Sequence, residues 1–375
     1  MNRIVLGIAL ATLIGASTAA RADCNKPMSD PVTHVPVPGH PFSAIPTNDG
    51  CNIFVSLTDA KASHLLVLKR DNGTVSVLHD LAASGQLAGM ALSPDGHFLA
   101  AANGSGVTLF QTDQLIAGNE KPLGYLNDRR GAGSIYAGFS PDQHVLFVSD
   151  ENNEAITVYD FTGLFTGKGA KPVGEIRTGA APVGLAFSHD GKLLYSTSEV
   201  GSSTGACSEG GGRAHGPGAI MVIDVAKAAT APSDAILARA DAGCSPVRVA
   251  LSADGARAYV TARGQNQLLV FDTAKLLAKE NALVAQIPVG TSPVGVAAAN
   301  DKIFVTNSNR FGGSANQSIS VVDAQNPSAP QASLPAGGFP RELKLTADGN
   351  TLLVTNFASG TVELVDMARL SQAQH

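Results

Sequence analysis

The chain contains no signature of several common enzyme classes. Its nine histidines never form His-x-His or His-Glu-x-x-His, the spacings that bind zinc in many hydrolases. No serine nucleophile on a strand-to-helix turn, phosphate-binding loop or dinucleotide-binding fingerprint is present. No two of the four cysteines have zinc-ligand spacing. The sequence therefore predicts no metal site and no cofactor, and it assigns no reaction.

Only one long apolar run occurs, from Ile4 to Ile14, and it is still too short to span a bilayer. Arg3 precedes this run, and Ala20-Arg21-Ala22 follows it as a small-x-small cleavage site. We therefore expect a signal peptide over residues 1–22, cleaved after Ala22, with residues 23–375 as a single exported domain. The expected location is the periplasm or the extracellular medium, with no membrane span.

Charge, apolar content and the abundance of glycine and proline indicate the structural class of the protein. Charged residues make up 15% and apolar residues 44% of the chain, so disorder is not indicated. After cleavage, 24 basic and 31 acidic residues leave a net charge near −7, which argues against nucleic-acid binding. Helix formers are sparse, while 40 glycines and 20 prolines separate short apolar runs. This is an all-β composition.

A turn of the type Ser-x-Asp-Gly recurs along the chain and sets its organisation. Seven copies, two of them weaker, are spaced by 46 to 48 residues, except for one interval of 64. A fixed period of this size predicts a propeller or a solenoid. Gly closes the tight turn, so we interpret the motif as structural. The copies lie at residues 47–50, 93–96, 140–143, 188–191, 252–255, 299–301 and 346–349.

Four short β-branched runs accompany each turn, for example Pro246-Val247-Arg248-Val249, Tyr259-Val260-Thr261 and Leu269-Val270-Phe271-Asp272. Four strands per repeat are typical of a β-propeller blade. The elements Tyr259-Val260-Thr261, Phe304-Val305-Thr306-Asn307 and Leu353-Val354-Thr355-Asn356 resemble the YVTN-type, WD40-like repeat. The resemblance covers about residues 34 to 368. It implies a seven-bladed propeller similar to YncE-like exported proteins and, more distantly, to lactonase-type propellers.

The register of the repeats predicts how the ring closes. Val35-Pro36-Val37 matches a fourth strand and Thr361 to Asp366 matches a third, so the N-terminal strand should complete blade seven. We call the side with the Asp-Gly turns the lower face and the opposite side the upper face. Cys24 and Cys51 then fall on the lower face, and Cys207 and Cys244 on the upper. This predicts the disulfides Cys24–Cys51 and Cys207–Cys244, the second of which fixes a Gly-rich insertion of blade four, residues 198–218.

The upper loops are rich in arginine, which binds carboxylates through two parallel hydrogen bonds. They therefore predict a site for a small anion. The alternative is that these arginines pair with carboxylates of the same loops, which are Asp128, Asp150, Glu151, Glu154, Glu199, Glu209 and Glu342. The arginines are Arg129, Arg130, Arg213, Arg263, Arg310 and Arg341.

One position of the innermost strands stands out. Four blades carry a small residue there, Ser43, Gly89, Gly184 and Gly295, whereas the other three carry Tyr136, Arg248 and Glu342. Breaks of a local rule often mark sites. We predict that the three side chains bind a polar ligand, with Glu342 as a candidate base and Arg248 as the anion ligand. Simple pairing of Arg248 and Glu342 with other residues is the alternative.

These observations predict an exported, monomeric propeller that binds a small anionic molecule or a protein partner through its upper face and channel. The alternative function is a lactonase-like hydrolase or lyase that acts on a carboxylated or lactone substrate. Its candidate catalytic residues are Glu342, Arg248, Tyr136 and His215, the imidazole of the insertion.

Overall fold

The computed structural model describes residues 24, 26–58, 63–83, 85–127, 131–164, 169–201, 204–209, 212–299, 301–313, 317–329 and 331–369. These residues form a seven-bladed β-propeller of four-stranded antiparallel sheets. Each blade uses four consecutive strands, except that the first strand of the chain joins the last blade. The predicted fold class is confirmed.

The closing strand is β1 (Val32–Pro36). Blade one contains β2 (His40–Pro46), β3 (Asn52–Thr58), β4 (Ser63–Asp71) and β5 (Thr74–Ala83). Blade two contains β6 (Met90–Leu92), β7 (Phe98–Ala102), β8 (Gly106–Gln111) and β9 (Gly124–Asn127). Blade three contains β10 (Ser134–Phe139), β11 (Val145–Asp150), β12 (Ala155–Asp160) and β13 (Lys171–Arg177). Blade four contains β14 (Ala180–Phe187), β15 (Leu193–Val200), β16 (Ala219–Asp224) and β17 (Ile236–Asp241).

Blade five contains β18 (Pro246–Leu251), β19 (Arg257–Ala262), β20 (Gln267–Asp272) and β21 (Leu283–Pro288). Blade six contains β22 (Pro293–Ala299), β23 (Lys302–Asn307), β24 (Ser318–Asp323) and β25 (Ala332–Pro335). Blade seven contains β26 (Pro340–Leu345), β27 (Thr351–Asn356), β28 (Thr361–Asp366) and β1. Short helices α1 (Thr112–Ile116), α2 (Val225–Ala228) and α3 (Thr273–Leu277) follow third strands, and 3₁₀ turns occupy Pro232–Asp234 and Arg263–Gln265.

The recurring turns have the structural role that the sequence indicated. In blade two, the Ser93 hydroxyl donates to Asp95 Oδ1 at 2.6 Å, and the His97 N–H donates to the same oxygen at 3.0 Å. Gly96 then takes a φ of 79°, in the left-handed region that favours glycine. The turn of blade three places Gln143 at the equivalent position, with a φ of 54°.

Hydroxyl groups of the second strands connect neighbouring blades. Thr261 Oγ1 accepts from the Arg248 N–H of its own blade at 3.1 Å and donates to Val294 O of the next blade at 2.8 Å. Thr197 makes the equivalent pair of bonds, to the Gly184 N–H at 2.9 Å and to Val247 O at 2.8 Å. The threonine of the repeat therefore holds two adjacent innermost strands at a fixed spacing.

The hydrophobic core lies between the blades. One cluster joins Val145 and Phe147 of blade three to Leu194 and Ile223 of blade four, and all four side chains are buried. The equivalent cluster at the closure packs Val35 against Val362 and residues of blade one. Since each blade buries both faces against its neighbours, the loss of one strand at the closure exposes core on two blades.

The ring closes as predicted. β1 pairs with β28 in antiparallel register, Val35 lying opposite Val362. The strand begins three residues before the predicted Val35, at Val32, and ends at Pro36. Both predicted disulfides, Cys24–Cys51 and Cys207–Cys244, are present. The insertion between β15 and β16 starts at residue 201, because β15 continues to Val200.

No helix within the described part of the chain is long and apolar enough to cross a bilayer. The predicted signal peptide and its cleavage site lie outside the described residues.

The closure generates a testable prediction. Val35 is 5% exposed, so Val35→Asp buries a carboxylate in the seam and should lower the free energy of unfolding by more than about 3 kcal/mol. The matched control is Val77→Asp on the outer strand of blade one, where the side chain is 43% exposed and the change should stay within about 0.5 kcal/mol. Urea denaturation measures both. Equal losses in the two variants would contradict the closure.

Candidate functional site

The structure brings together the three large residues of the innermost strands. Tyr136 on β10, Arg248 on β18 and Glu342 on β26 are all buried. The Tyr136 hydroxyl donates a hydrogen bond to Glu342 Oε1 across the channel. The Arg248 guanidinium lies over the Tyr136 ring, with Cζ 4.7 Å from the ring centroid. The three residues therefore form one cluster, which we call the channel cluster; that it binds a ligand stays a prediction.

Small residues on neighbouring blades give the channel cluster its space. A Cβ atom at Gly89 would collide with the Tyr136 ring. At Gly184 a Cβ atom would lie 3.0 Å from Val247 O and 3.2 Å from the Arg248 Cα atom. Because Cβ contacts this short are rare, glycine at these two positions lets the large side chains occupy the channel.

Burial shapes the protonation of the channel cluster. It raises the pKa of Glu342 to about 7, and the positive charge of Lys344 opposes this shift. Burial also lowers the pKa of Arg248 to about 10, although the carboxylates of Glu199 and Glu151 act in the other direction. Arg248 therefore keeps its charge at neutral pH, while Glu342 is divided between its two protonation states.

A second guanidinium lies one residue before Glu342. Burial lowers the pKa of Arg341 to about 9, and the like charges of Arg248 and Arg310 add to this shift. The Arg341 Cζ atom lies 3.8 Å from the centroid of the Phe42 ring. Arg248 and Arg310 therefore lie near enough to Arg341 for their charges to repel it, and Arg341, which is half-buried, keeps its positive charge at neutral pH.

Several polar atoms of this site have no hydrogen-bond partner within the described ranges. They are Arg248 Nε, Arg248 Nη1, Arg341 Nε and Glu342 Oε2, and each atom is buried. An unsatisfied buried donor costs on the order of 1–3 kcal/mol, and more for a charged group. A concentration of such atoms at one place, all belonging to ionisable side chains, is typical of a binding site.

The alternative that rim arginines pair with loop carboxylates holds for Arg263. Its guanidinium donates to both Glu199 oxygens, at 2.8 and 3.3 Å, and to Glu209 Oε2 at 2.8 Å. Burial acts to lower the pKa of Arg263, but these two carboxylates outweigh it and raise the pKa. Arg263 therefore ties the insertion to blades four and five and is not free to bind a ligand.

Arg310 and Arg341 differ from Arg263. Neither forms an ion pair with a carboxylate in the part of the chain that the structure describes. Both stack on phenylalanine rings instead. Arg310 Cζ lies 5.1 Å from the Phe311 ring and 5.6 Å from the Phe339 ring. Arg341 Cζ lies 5.8 Å from the Phe339 ring.

The remaining predicted residues do not join the channel cluster. His215 Nδ1 lies 2.8 Å from Gly216 O and His215 Nε2 lies 3.4 Å from Ser245 Oγ, so these side-chain contacts are to the insertion and to the loop into blade five. Arg213 is exposed. Arg129 and Arg130 lie outside the described residues.

Sequence reasoning missed the aromatic residues around the two stacked arginines. The Phe339 and Phe357 rings are tilted by 57° at a centroid distance of 5.4 Å, and His40 stacks on Phe357 at 4.9 Å. The only available signal was Phe339 directly before Pro340 and Arg341 in the loop that leads to Glu342. Phe42 and Phe357 lie on other segments and meet Arg341 only in the closed ring.

A cavity lies below the channel cluster. This cavity, of about 280 Å³, opens toward the lower face between the innermost strands of blades one to four and seven. Polar and apolar groups line it in about equal measure, among them Ile45, Phe139, Asn48 and Lys344, and Tyr136 closes one end. The Tyr136–Glu342 hydrogen bond therefore separates an arginine-rich upper part from a lower part that no arginine of the described chain lines. No group of metal-ligating side chains occurs among the residues described.

Comparison with known proteins agrees with the fold. Residues 119–288 match the family model described as "Lactonase, 7-bladed beta-propeller". No curated protein sequence matches the chain. A chain of Kuenenia stuttgartiensis hydrazine synthase is 18% identical, with a TM-score of 0.68, covering 88% of this chain and 96% of that one. A chain from a mitotic checkpoint complex is 16% identical, with a TM-score of 0.66, covering 98% and 99%. These comparisons confirm the resemblance to propeller proteins, and the structural likenesses show the fold alone.

The raised pKa of Glu342 predicts how stability depends on pH. The carboxyl titrates at about 4.5 when unfolded and at about 7 when folded, so the native state binds more protons between these values. The proton on Glu342 therefore stabilises the fold fully below about pH 4.5, and this contribution is lost as the pH rises through 7. Compared with Glu342→Gln, wild-type protein should lose about 3 kcal/mol of unfolding free energy between pH 4.5 and 8.5.

Urea denaturation of both proteins at the two pH values measures this difference. Glu280→Gln, at an exposed position, provides the matched control for loss of one carboxyl group. A pH-independent difference between wild type and Glu342→Gln would contradict the raised pKa.

Proposed function

We propose that this protein binds a small organic anion, with a carboxylate group held by Arg248 and Arg341 in the upper part of the channel. The observation that carries the proposal is the set of buried guanidinium N–H groups without a protein partner. A carboxylate presents two acceptor oxygens in the plane of the guanidinium and satisfies such donors directly.

The local charge supports an anion over a cation. Arg263 is neutralised by Glu199 and Glu209, whereas Arg248, Arg310 and Arg341 have no carboxylate within ion-pair distance among the described residues. Burial lowers the pKa of Arg341 to about 9, and repulsion by the charges of Arg248 and Arg310 adds to this shift. A bound anion relieves this repulsion, and in a buried setting the gain is larger than in water.

The protein-partner alternative receives less support. The unpartnered donors of Arg248 lie in the channel, and this residue is only 7% exposed. A small molecule reaches such a position more readily than a folded protein surface does. Export remains part of the proposal, because two disulfides are expected in an oxidising compartment.

The role of Arg248 is testable by a charge-conserving substitution. Arg248→Lys keeps the positive charge but removes the planar fork, so the affinity for succinate or gluconate should fall at least tenfold, about 1.4 kcal/mol. The matched control is Arg257→Lys, because Arg257 pairs with Asp272 at the lower end of blade five. Isothermal titration calorimetry measures both. Equal affinity in wild type and Arg248→Lys would contradict the proposal.

A lactone hydrolase is the second candidate, favoured by the lactonase family match and by the carboxyl of Glu342, which is buried in the channel. In this reaction the Glu342 carboxylate accepts a proton from water while the water oxygen bonds to the lactone carbonyl carbon. Arg248 stabilises the oxyanion. As the ring C–O bond breaks, the leaving alkoxide takes the proton from Glu342, which restores the Glu342 carboxylate, and the new carboxylic acid ionises to a carboxylate. The product is itself an anion of the class proposed above.

Turnover separates the two candidates. If Glu342 is the base, the hydrolysis rate of a substrate such as gluconolactone, corrected for its spontaneous hydrolysis, should rise with pH through about 7. Glu342→Gln should lower this rate at least a hundredfold while the fold is kept. The pH profile and the variant are measured under the same conditions. Enzyme-independent hydrolysis at every pH would leave binding alone as the function.

A further inference from the structure

Aromatic residues concentrate beside the proposed anion site. The chain has 14 phenylalanines and no tryptophan, so aromatic rings are scarce. Nevertheless four phenylalanines and one histidine meet at the upper ends of blades six, seven and one. We call this group the aromatic wall. Its members are His40, Phe42, Phe311, Phe339 and Phe357.

Arg310 and Arg341 both pack against rings of the aromatic wall. Phe339 lies between two guanidinium groups, 5.6 Å from Arg310 Cζ and 5.8 Å from Arg341 Cζ. Arg341 also contacts the Phe42 ring at 3.8 Å and the Phe357 ring at 5.7 Å. A guanidinium whose face rests on rings keeps its N–H edge available for a carboxylate.

Part of the aromatic wall faces outward. The Phe311 side chain is 53% exposed, and it is one of the few large exposed hydrophobic residues of the described chain. Phe339 and Phe357 are half-buried. The aromatic wall thus leaves ring surface partly in water, beside buried cationic donors that have no partner. This arrangement suits a ligand that carries an apolar ring attached to an anionic group.

We propose that the preferred ligand is an aromatic carboxylate, whose carboxylate binds Arg248 and Arg341 and whose planar ring stacks on Phe339 and Phe311. This inference rests on the proposed anion site and adds the chemical class of its ligand. A hydroxylated sugar acid is less suited, because its hydroxyl groups need hydrogen-bond partners that phenylalanine rings do not provide.

The test is calorimetric titration of the purified full-length mature chain with benzoate, cyclohexanecarboxylate, acetate and inorganic phosphate. Benzoate should bind at least tenfold more tightly than acetate, because its ring is buried against the aromatic wall. It should also bind more tightly than cyclohexanecarboxylate, which has similar size but no planar π system. Phosphate reports the contribution of charge alone.

Substitutions of the aromatic wall and of Arg248 separate the contribution of the ligand's ring to affinity from that of its charge. Phe339→Leu should reduce the benzoate-to-acetate affinity ratio at least threefold. Arg248→Lys should weaken both ligands. Phe311→Leu serves as a second wall variant, since a half-exposed side chain can be replaced with little effect on folding. Tyr125→Leu, an exposed aromatic position on the outer strand of blade two, is the matched control.

The outcomes distinguish this inference from the proposed function. Equal affinities for acetate and benzoate, both lost in Arg248→Lys, overturn the aromatic preference and leave the anion site in place. An unchanged ratio in both Phe339→Leu and Phe311→Leu does the same. If no carboxylate and no phosphate binds wild-type protein, the proposed function and this inference are both wrong.

Discussion

The channel depends on hydrogen bonds between neighbouring innermost strands. Hydroxyl groups of the second strands make these bonds. Thr261 Oγ1 joins the Arg248 N–H to Val294 O, and Thr355 Oγ1 joins the Glu342 N–H to Phe42 O. These bonds hold the backbone of the two ionisable channel residues at their own positions. Because the backbone is fixed, only side-chain torsions remain to be restricted when a ligand binds, and the site is largely preorganised.

A seven-bladed ring leaves little volume at its centre, and this limits how many large side chains it accommodates. Tyr136, Arg248 and Glu342 fit because the blades between them carry small residues; at Gly89, for example, any side chain would meet the Tyr136 ring. Burying an arginine and a glutamate in this space costs free energy, and the Tyr136–Glu342 hydrogen bond offsets only part of that cost. The unsatisfied donors of Arg248 add to this cost, and they are the basis of the anion-binding proposal.

The sequence predicted those features of the fold that follow from the repeat. Its period gave the seven blades, its register gave the closing strand and both disulfides, and the break in the small-residue rule identified the channel cluster. Contacts between loops of different blades were not predictable. Arg263 and Arg341 belong to the same class of rim arginine in the sequence, yet one pairs with Glu199 and the other stacks on Phe42. Such choices depend on distances across the ring, which no local pattern contains.

The insertion of blade four explains why these arginines differ. The disulfide Cys207–Cys244 fixes the insertion beside blade five, and Glu209 then reaches Arg263. Together with Glu199, this carboxylate neutralises the positive charge at the rim. Arg248 and Arg341, deeper in the channel, receive no such partner within the described chain. The proposed anion would therefore meet, at the depth of these N–H groups, guanidinium donors that are not already bound by a carboxylate of the described chain.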